Sequence, residues 1–308
     1  MKERKINCSD IPSLTLPEGW SCIKTEGAGP FVTKAILRHP AGSRVHWSSR
    51  DHRKHHNLID SGSKSTWHAP GAIGWWIGVL FAIGASCFAV GAIPGYTNLV
   101  GFPKDALTFF MGSLFFTTAA FLQYIETINA RQTPKGSLLK EKIRFLTWEP
   151  RRIDWLSSVV QLIGTIFFNV STFYSINFSM SAQTMDHLVW GPDAYGSICF
   201  LIASLLVWIE VGHSLLSWNT KSLSWQIAFL NLLGSIAFGF SAVAAFIIPA
   251  TGQPINLTLV NLGTFTGGIC FLIGGVLLLP ERTHPDTPVS YKNNTNKLLK
   301  KIEIIKKD

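Results

Sequence analysis

Charge is what this sequence lacks. Only 15% of its 308 residues are Asp, Glu, Lys or Arg, against about 25% in an ordinary soluble domain. The deficit is concentrated, because none of the four occurs from Ser65 to Pro103 or from Ser222 to Pro280. About 20 apolar residues already cross a bilayer as a helix. Stretches this long exclude a soluble globular chain and define an integral membrane protein. The short alternating segments of a transmembrane β-barrel are missing too.

Cysteine is sparse. Cys8, Cys22, Cys87, Cys199 and Cys270 form no CxxC and no zinc-ligand spacing, so neither a disulfide framework nor a metal or cofactor site is expected. The sequence has no Walker loop, no dinucleotide glycine fingerprint, no HExxH and no GxSxG. An ATP-driven pump and the common hydrolases are therefore disfavoured, and no catalytic residue is assigned. The opening Met-Lys-Glu-Arg-Lys is not followed by an apolar h-region, so a cleaved secretory signal is not expected.

What is present is six apolar spans, near Ile73–Ile93, Leu107–Ile125, Trp155–Ile176, Ala194–Leu216, Trp225–Ile248 and Leu257–Leu279. Helices satisfy every backbone group within one segment, which lipid demands. Before them, residues 1–70 are polar and basic. Phe31–Leu37 and Arg44–Ser48 flank a His39-Pro40-Ala41-Gly42 turn and predict a β-hairpin. Residues 60–70 look like a linker. Lys and Arg number eleven before the first span, seven between spans two and three, one (Lys221) between spans four and five and seven after the last. The opposite side holds one, Lys104. The positive-inside rule then places both termini in the cytoplasm.

The spans repeat in pairs. Trp75, Trp155 and Trp225 each precede a glycine by nine residues (Gly84, Gly164, Gly234), with a phenylalanine four further on (Phe88, Phe168, Phe238). In the even spans Gly112, Gly196 and Gly267 each precede a glutamate by fourteen (Glu126, Glu210, Glu281). The expected fold is all-α: six transmembrane helices as three parallel two-helix hairpins, about 71–130, 151–218 and 222–282, with a basic tail over 283–308.

Gly74-Trp75-Trp76-Ile77-Gly78 and Phe109-Phe110-Met111-Gly112-Ser113-Leu114-Phe115-Phe116-Thr117 resemble an uncharacterised family of bacterial membrane proteins, the YrhK-like domain, in its Gly-Ser-x-x-Phe hairpin. Trp47-Ser48-Ser49-Arg50-Asp51-His52-Arg53-Lys54 and Val189-Trp190-Gly191-Pro192-Asp193 also look like that family's patterns. The resemblance implies a bacterial inner-membrane protein and brings no activity with it.

Several residues could carry function. Glu126, Glu210 and Glu281 end their spans, where the helix dipole disfavours a carboxylate, so cations such as Arg152, Lys221 or Arg282 are expected beside them. His213 lies one turn past Glu210 and could share its face. Gln161 and Asn169 fall on one face of span three and could line a polar path or hydrogen-bond between helices. Asp186, His187 and Asp193 could make an outer mouth that attracts cations; otherwise Asp193 caps span four at a Gly-Pro turn. His46, His52, His55 and His56 with Asp51 fit no tetrahedral metal template. Arg50, Arg53 and Lys54 beside them point to anionic lipid headgroups or phosphate. The tail carries Leu298, Ile302 and Ile305 on one helical face between lysines, a membrane-surface pattern. Nucleic acid is not an expected partner, because the basic segments flank spans.

The leading expectation is passive or ion-coupled transport of a small ion or solute. The alternative is a non-transporting scaffold or sensor that binds lipid headgroups or a cytoplasmic partner. A cavity lined by Gln161, Asn169 and Glu210 would favour the first; a centre packed with glycine and phenylalanine, with the glutamates pointing to lipid headgroups, would favour the second.

Overall fold

The computed structural model describes Ile11, residues 18–54 apart from 39, 41 and 43, residues 67–130, and residues 143–281 apart from 178, 215 and 217. Most of the linker, His55, His56, Arg282 and the lysine-rich tail lie outside the described residues.

The first described elements form a three-stranded antiparallel sheet, β1 (Ser21–Ala28), β2 (Phe31–Arg38) and β3 (Arg44–Ser48), in the order β1-β2-β3. The predicted hairpin is β2-β3, with Ala35 opposite Trp47. Strand β1 was not expected, because Ser21-Cys22-Ile23-Lys24-Thr25-Glu26 has little apolar alternation. It is held by main-chain pairing to β2. Thr33, Ala35 and Leu37 alternate along the buried face of β2, and Ala35 and Leu37 pack with Ile11 and Trp47. One short helix follows directly, α1 (Ser49–Arg53), capped by the Ser48 hydroxyl, which accepts from the Asp51 amide.

Among the described residues, six helices are long and apolar enough to cross a membrane. Five of them are α2 (Ile73–Gly91), α4 (Phe102–Ile128), α5 (Ile153–Tyr174), α8 (Leu223–Ala244) and α9 (Leu257–Glu281). A short α3 (Pro94–Val100) joins α2 to α4. The remaining span is a continuous helical run from α6 (Ala182–Met185) through a π-helical turn (Asp186–Trp190) into α7 (Gly191–Gly212). The expected Gly-Pro turn is absent there. Pro192 lacks an amide hydrogen and crowds the preceding turn, and the wide π turn absorbs that defect without ending the helix.

The spans form a closed ring in chain order, α2-α4-α5-α7-α8-α9, with α9 packed back on α2. Lipid supplies no hydrophobic drive between helices, so close backbone approach must do the work. Gly84 meets Gly112, Gly164 meets Gly196 and Gly234 meets Gly267; a Cβ on Gly84, Gly164 or Gly234 would lie 2.9, 3.2 or 3.2 Å from the partner glycine's carbonyl oxygen. The α2/α9 seam is as tight, since a Cβ on Gly78 would come within 2.8 Å of the Gly275 carbonyl. The other two seams use hydroxyls and amides. Ser113 and Thr172 hydroxyls share a 2.9 Å bond between α4 and α5, and Ser204 and Ser235 hydroxyls a 2.7 Å bond between α7 and α8.

The ring's centre is filled by phenylalanine. Phe88, Phe168 and Phe238 form one triangle, with ring centroids 5.8–6.3 Å apart. Phe116, Phe200 and Phe271 form a second, at 5.8–6.1 Å. The layers join through the pairs 88–116, 168–200 and 238–271, at 5.3, 5.0 and 5.4 Å. Large apolar side chains such as Phe121, Ile166, Phe240 and Leu262 cover the outside, as a lipid-facing wall requires.

This packing predicts an asymmetry between two glycines. Gly84→Leu places a side chain against the Gly112 backbone and should lower stability by about 1–3 kcal/mol. Gly239, with nothing within 4 Å of a built Cβ, should accept leucine unchanged. Thermal unfolding of the detergent-solubilised variants measures both, and equal shifts would contradict the seam.

Candidate functional site

Helices α4, α7 and α9 bring Glu126, Glu210 and Glu281 to the same end of the ring, where helix α1 is inserted. All five α1 residues are buried, and so is Lys54 behind them. The glutamates are 5, 1 and 0% exposed. Each takes its own cation. Arg50 donates from Nε to Glu281 Oε1 at 2.7 Å, Arg53 from Nη2 to Glu210 Oε2 at 2.9 Å, and Lys54 from Nζ to Glu126 Oε2 at 3.0 Å. Lys54 also lies 3.9 Å from Glu281 Oε2.

Hydroxyls add to two of the carboxylate shells. Ser49 donates to Glu210 Oε1 at 2.8 Å and Ser224 to Glu281 Oε1 at 2.9 Å. Ser224 immediately precedes Trp225. The residue in the same place before Trp75 is Gly74, whose built Cβ would sit 3.0 Å from Glu126 Oε1. Before Trp155 it is Asp154, which binds Arg152 Nη2 at 2.7 Å. Arg152 also reaches Glu149 and donates to the Thr127 carbonyl at 3.0 Å, tying α5 to the end of α4. Burial works against the Arg152 charge, but Asp154 and Glu149 outweigh it and make the guanidinium more basic than usual.

The cluster revises several expectations. The cations beside the glutamates are not Arg152 or Lys221: Arg152 serves Asp154, and Lys221 is exposed. Arg50, Arg53 and Lys54, expected to meet headgroups or phosphate, turn into the protein and face carboxylates. The sequence held a signal for this: three cations within five residues match three span-ending glutamates in number, behind a Ser48-x-x-Asp51 cap. His213 does not continue the Glu210 face. Helix α7 ends at Gly212, and His213 adopts left-handed backbone at φ 54°. Its Nδ1 lies 2.9 Å from the Thr33 hydroxyl of β2, pinning the sheet to α7.

Gln161 and Asn169 take the interhelical role. Gln123 donates to Gln161 at 2.9 Å and Asn169 to the Thr117 hydroxyl at 2.8 Å. Between the cations and the phenylalanines lies a chamber of about 30 Å³, lined in part by Gln123, Gln161 and Asn231. That is enough for water, which needs roughly 10–15 Å³. Asn169 and Glu210 do not line it. Around the same end, each repeated tryptophan packs edge-on against an aromatic seven residues earlier: His68 on Trp75, Trp148 on Trp155 and Trp218 on Trp225, at 5.6, 5.3 and 5.3 Å. Sequence reasoning passed over those partners because they lie outside the spans. Among the described residues no His, Cys, Asp and Glu group could hold a metal ion.

The chain matches no protein-family model, no curated protein and no solved structure. The site must therefore be read from its own geometry, which defines a multi-pass membrane protein with a soluble-type sheet keyed into one end by ion pairs.

Removing one member of a buried pair strands the other. Glu210→Gln should destabilise the protein by about 3–5 kcal/mol, whereas Arg53→Met with Glu210→Met should cost much less than the two single changes together. A double-mutant cycle by thermal unfolding checks this, and simple additivity would show that the pair does not act as one.

Proposed function

We propose that this protein is a membrane sensor or scaffold whose N-terminal sheet is clamped to a six-helix bundle of three tandem parallel hairpins. The single observation that carries the reading is the one-to-one pairing of Arg50, Arg53 and Lys54 with Glu281, Glu210 and Glu126. Such a junction makes the position of the sheet depend on the relative placement of all three even helices. A movement of one helix strains one pair and is felt by α1, and through Ser48 and β3 by the sheet. The equal spacing of the glycine, phenylalanine and glutamate contacts supports the tandem reading. The lysine and arginine distribution supports a cytoplasmic position for the clamp and both termini, and the YrhK-like resemblance supports a bacterial inner membrane. The sheet would present its exposed face to a cytoplasmic partner.

A gated conduit is the second reading. It is favoured by cavities on both sides of the six phenylalanines, one of them against the cations. On that reading α1 is a stopper and the aromatic layers are a gate.

Reconstituted vesicles separate the two. On the sensor reading the intact protein passes no inorganic ion or small neutral solute. Arg53→Gln then raises hydrogen exchange in β2 and β3 without creating flux. A solute flux through the intact protein, or one released by Arg53→Gln, would overturn the sensor reading in favour of the conduit.

A further inference from the structure

The end of the ring opposite the glutamates holds a second cavity, of about 260 Å³. Its floor is the triangle of Phe88, Phe168 and Phe238. Three residues stand around it at one level, each three positions before a packing glycine of an even span: Phe109, Asp193 and Thr264. Two of them are accounted for. Phe109 packs edge-on against Phe88 at 5.7 Å, and the Thr264 hydroxyl bonds the Ser241 hydroxyl at 2.8 Å. Asp193 has no hydrogen-bond or ion-pair partner among the described residues. It does not cap α7, whose start at this point is a continuation of the π turn. No Lys, Arg or His lines the cavity.

A second unpartnered group faces the same space. Ser197 is 4% exposed, its hydroxyl has no hydrogen-bond partner, and it lines the cavity. The reason is visible in the seams. Ser113, which also follows a packing glycine, bonds Thr172, eight residues after Gly164. The residue eight after Gly234 is Ala242, which offers no hydroxyl. The cavity lies where this seam bond is missing. Trp190 closes its side by donating from Nε1 to the Ala242 carbonyl at 2.9 Å, beside a lipid-facing groove between α7 and α8 that Trp190 and Ser197 also line.

An ionised carboxylate at membrane depth without a partner is unfavourable: it is relieved by taking a proton or by a cation that joins it. Aromatic rings around it favour a cation with an apolar body, because their π faces attract positive charge and their carbon receives methyl groups. The space is smaller than the roughly 300–1,000 Å³ of drug-sized sites. We propose that this chamber binds a small organic ammonium ion, with Asp193 opposing its charge, the phenylalanine floor holding its carbon and Ser197 accepting or donating where the ligand carries an N–H or a hydroxyl. This site goes beyond the sensor reading, since it would supply either a sensed ligand or a transported one.

The test uses the full chain in phosphatidylglycerol nanodiscs with labelled tetramethylammonium as probe. Saturable binding is expected, with affinity reduced at least tenfold in Asp193→Asn. Choline should compete, and its uncharged tert-butyl isostere should not. A Ser197→Ala variant should keep tetramethylammonium affinity while weakening choline severalfold, a split that a general folding defect would not produce. Adding phosphatidylcholine distinguishes the sources. If the lipid headgroup enters, it shifts the probe curve to higher concentration in the intact protein. If only free ammonium fits, the curve stays where it was. Absence of saturable binding, equal competition by the uncharged isostere, or unchanged binding by a monodisperse Asp193→Asn protein would overturn the assignment. So would an infrared carbonyl band showing a protonated Asp193 that persists at saturating probe.

Discussion

Charge neutrality at one end of the ring is the constraint on which the rest of the structure depends. Glu126, Glu210 and Glu281 sit at C-terminal helix ends, where the dipole already disfavours them, and they are almost fully buried. In low dielectric, three uncompensated carboxylates would be prohibitive. Compensation from within the bundle is not available, because among its described residues Arg152 is committed to Asp154 and Glu149. The cations come instead from a five-residue helix and the lysine that follows it; the helix could not stand alone, since it is far below the length at which helices persist in water. Its Ser48 cap starts it, β3 delivers it, and the glutamates hold it. The sheet is thus part of the electrostatics of the membrane domain rather than an appendage to it.

The rest of the bundle answers a different physical demand. Lipid removes the hydrophobic incentive for helices to associate, which leaves dispersion and hydrogen bonding. Within each hairpin, glycine faces glycine and lets the backbones meet. Between hairpins the solutions differ: glycine and alanine at α2/α9, amides and threonines at α4/α5, serines at α7/α8. Helices that approach this closely leave an axial space too wide for small residues to fill, and the two phenylalanine layers occupy it. Phenylalanine suits that task because tilted and edge-on pairs are favourable at the observed separations.

Much of this was legible in the chain. The spans and sheet strands β2 and β3 follow from local patterns of hydropathy and spacing, and so do the glycines and phenylalanines that meet in the bundle. What escaped was set by three-dimensional proximity. Nothing local says that Arg53 meets Glu210 across 157 residues, although matching numbers of cations and carboxylates hinted at it. Strand β1 owes its place mainly to pairing with β2, with Cys22 its contribution to the sheet's core. His213 looked like a helical neighbour of Glu210 because apolar residues resume beyond it, yet Gly212 and the bond to Thr33 favour ending the helix there. Pro192 looked like a turn because the rule that proline ends helices omits the π-helical escape.

If the three hairpins are copies of one unit, the positions at which they differ are the informative ones. Where the copies agree, at the glycines, phenylalanines and glutamates, a packing or neutralising role accounts for the residue in full. Where they disagree, a shared role cannot. Phe109, Asp193 and Thr264 stand at equivalent spacing, and packing alone does not account for the aspartate. Ala92, Thr172 and Ala242 are equivalent too, and Ala242 leaves Ser197 without the hydroxyl that Ser113 finds in Thr172. The aspartate and the unpartnered serine both lie on α7, beside the π turn. A packing defect with an unpartnered carboxylate is expensive to keep in a membrane, and it lies here beside a seam that Ser204 and Ser235 close further along. On the proposed sensor reading, these unfavourable choices and the clamp at the opposite end would divide the work of a ligand-responsive membrane protein: a site that is better filled than empty and a junction that registers the difference.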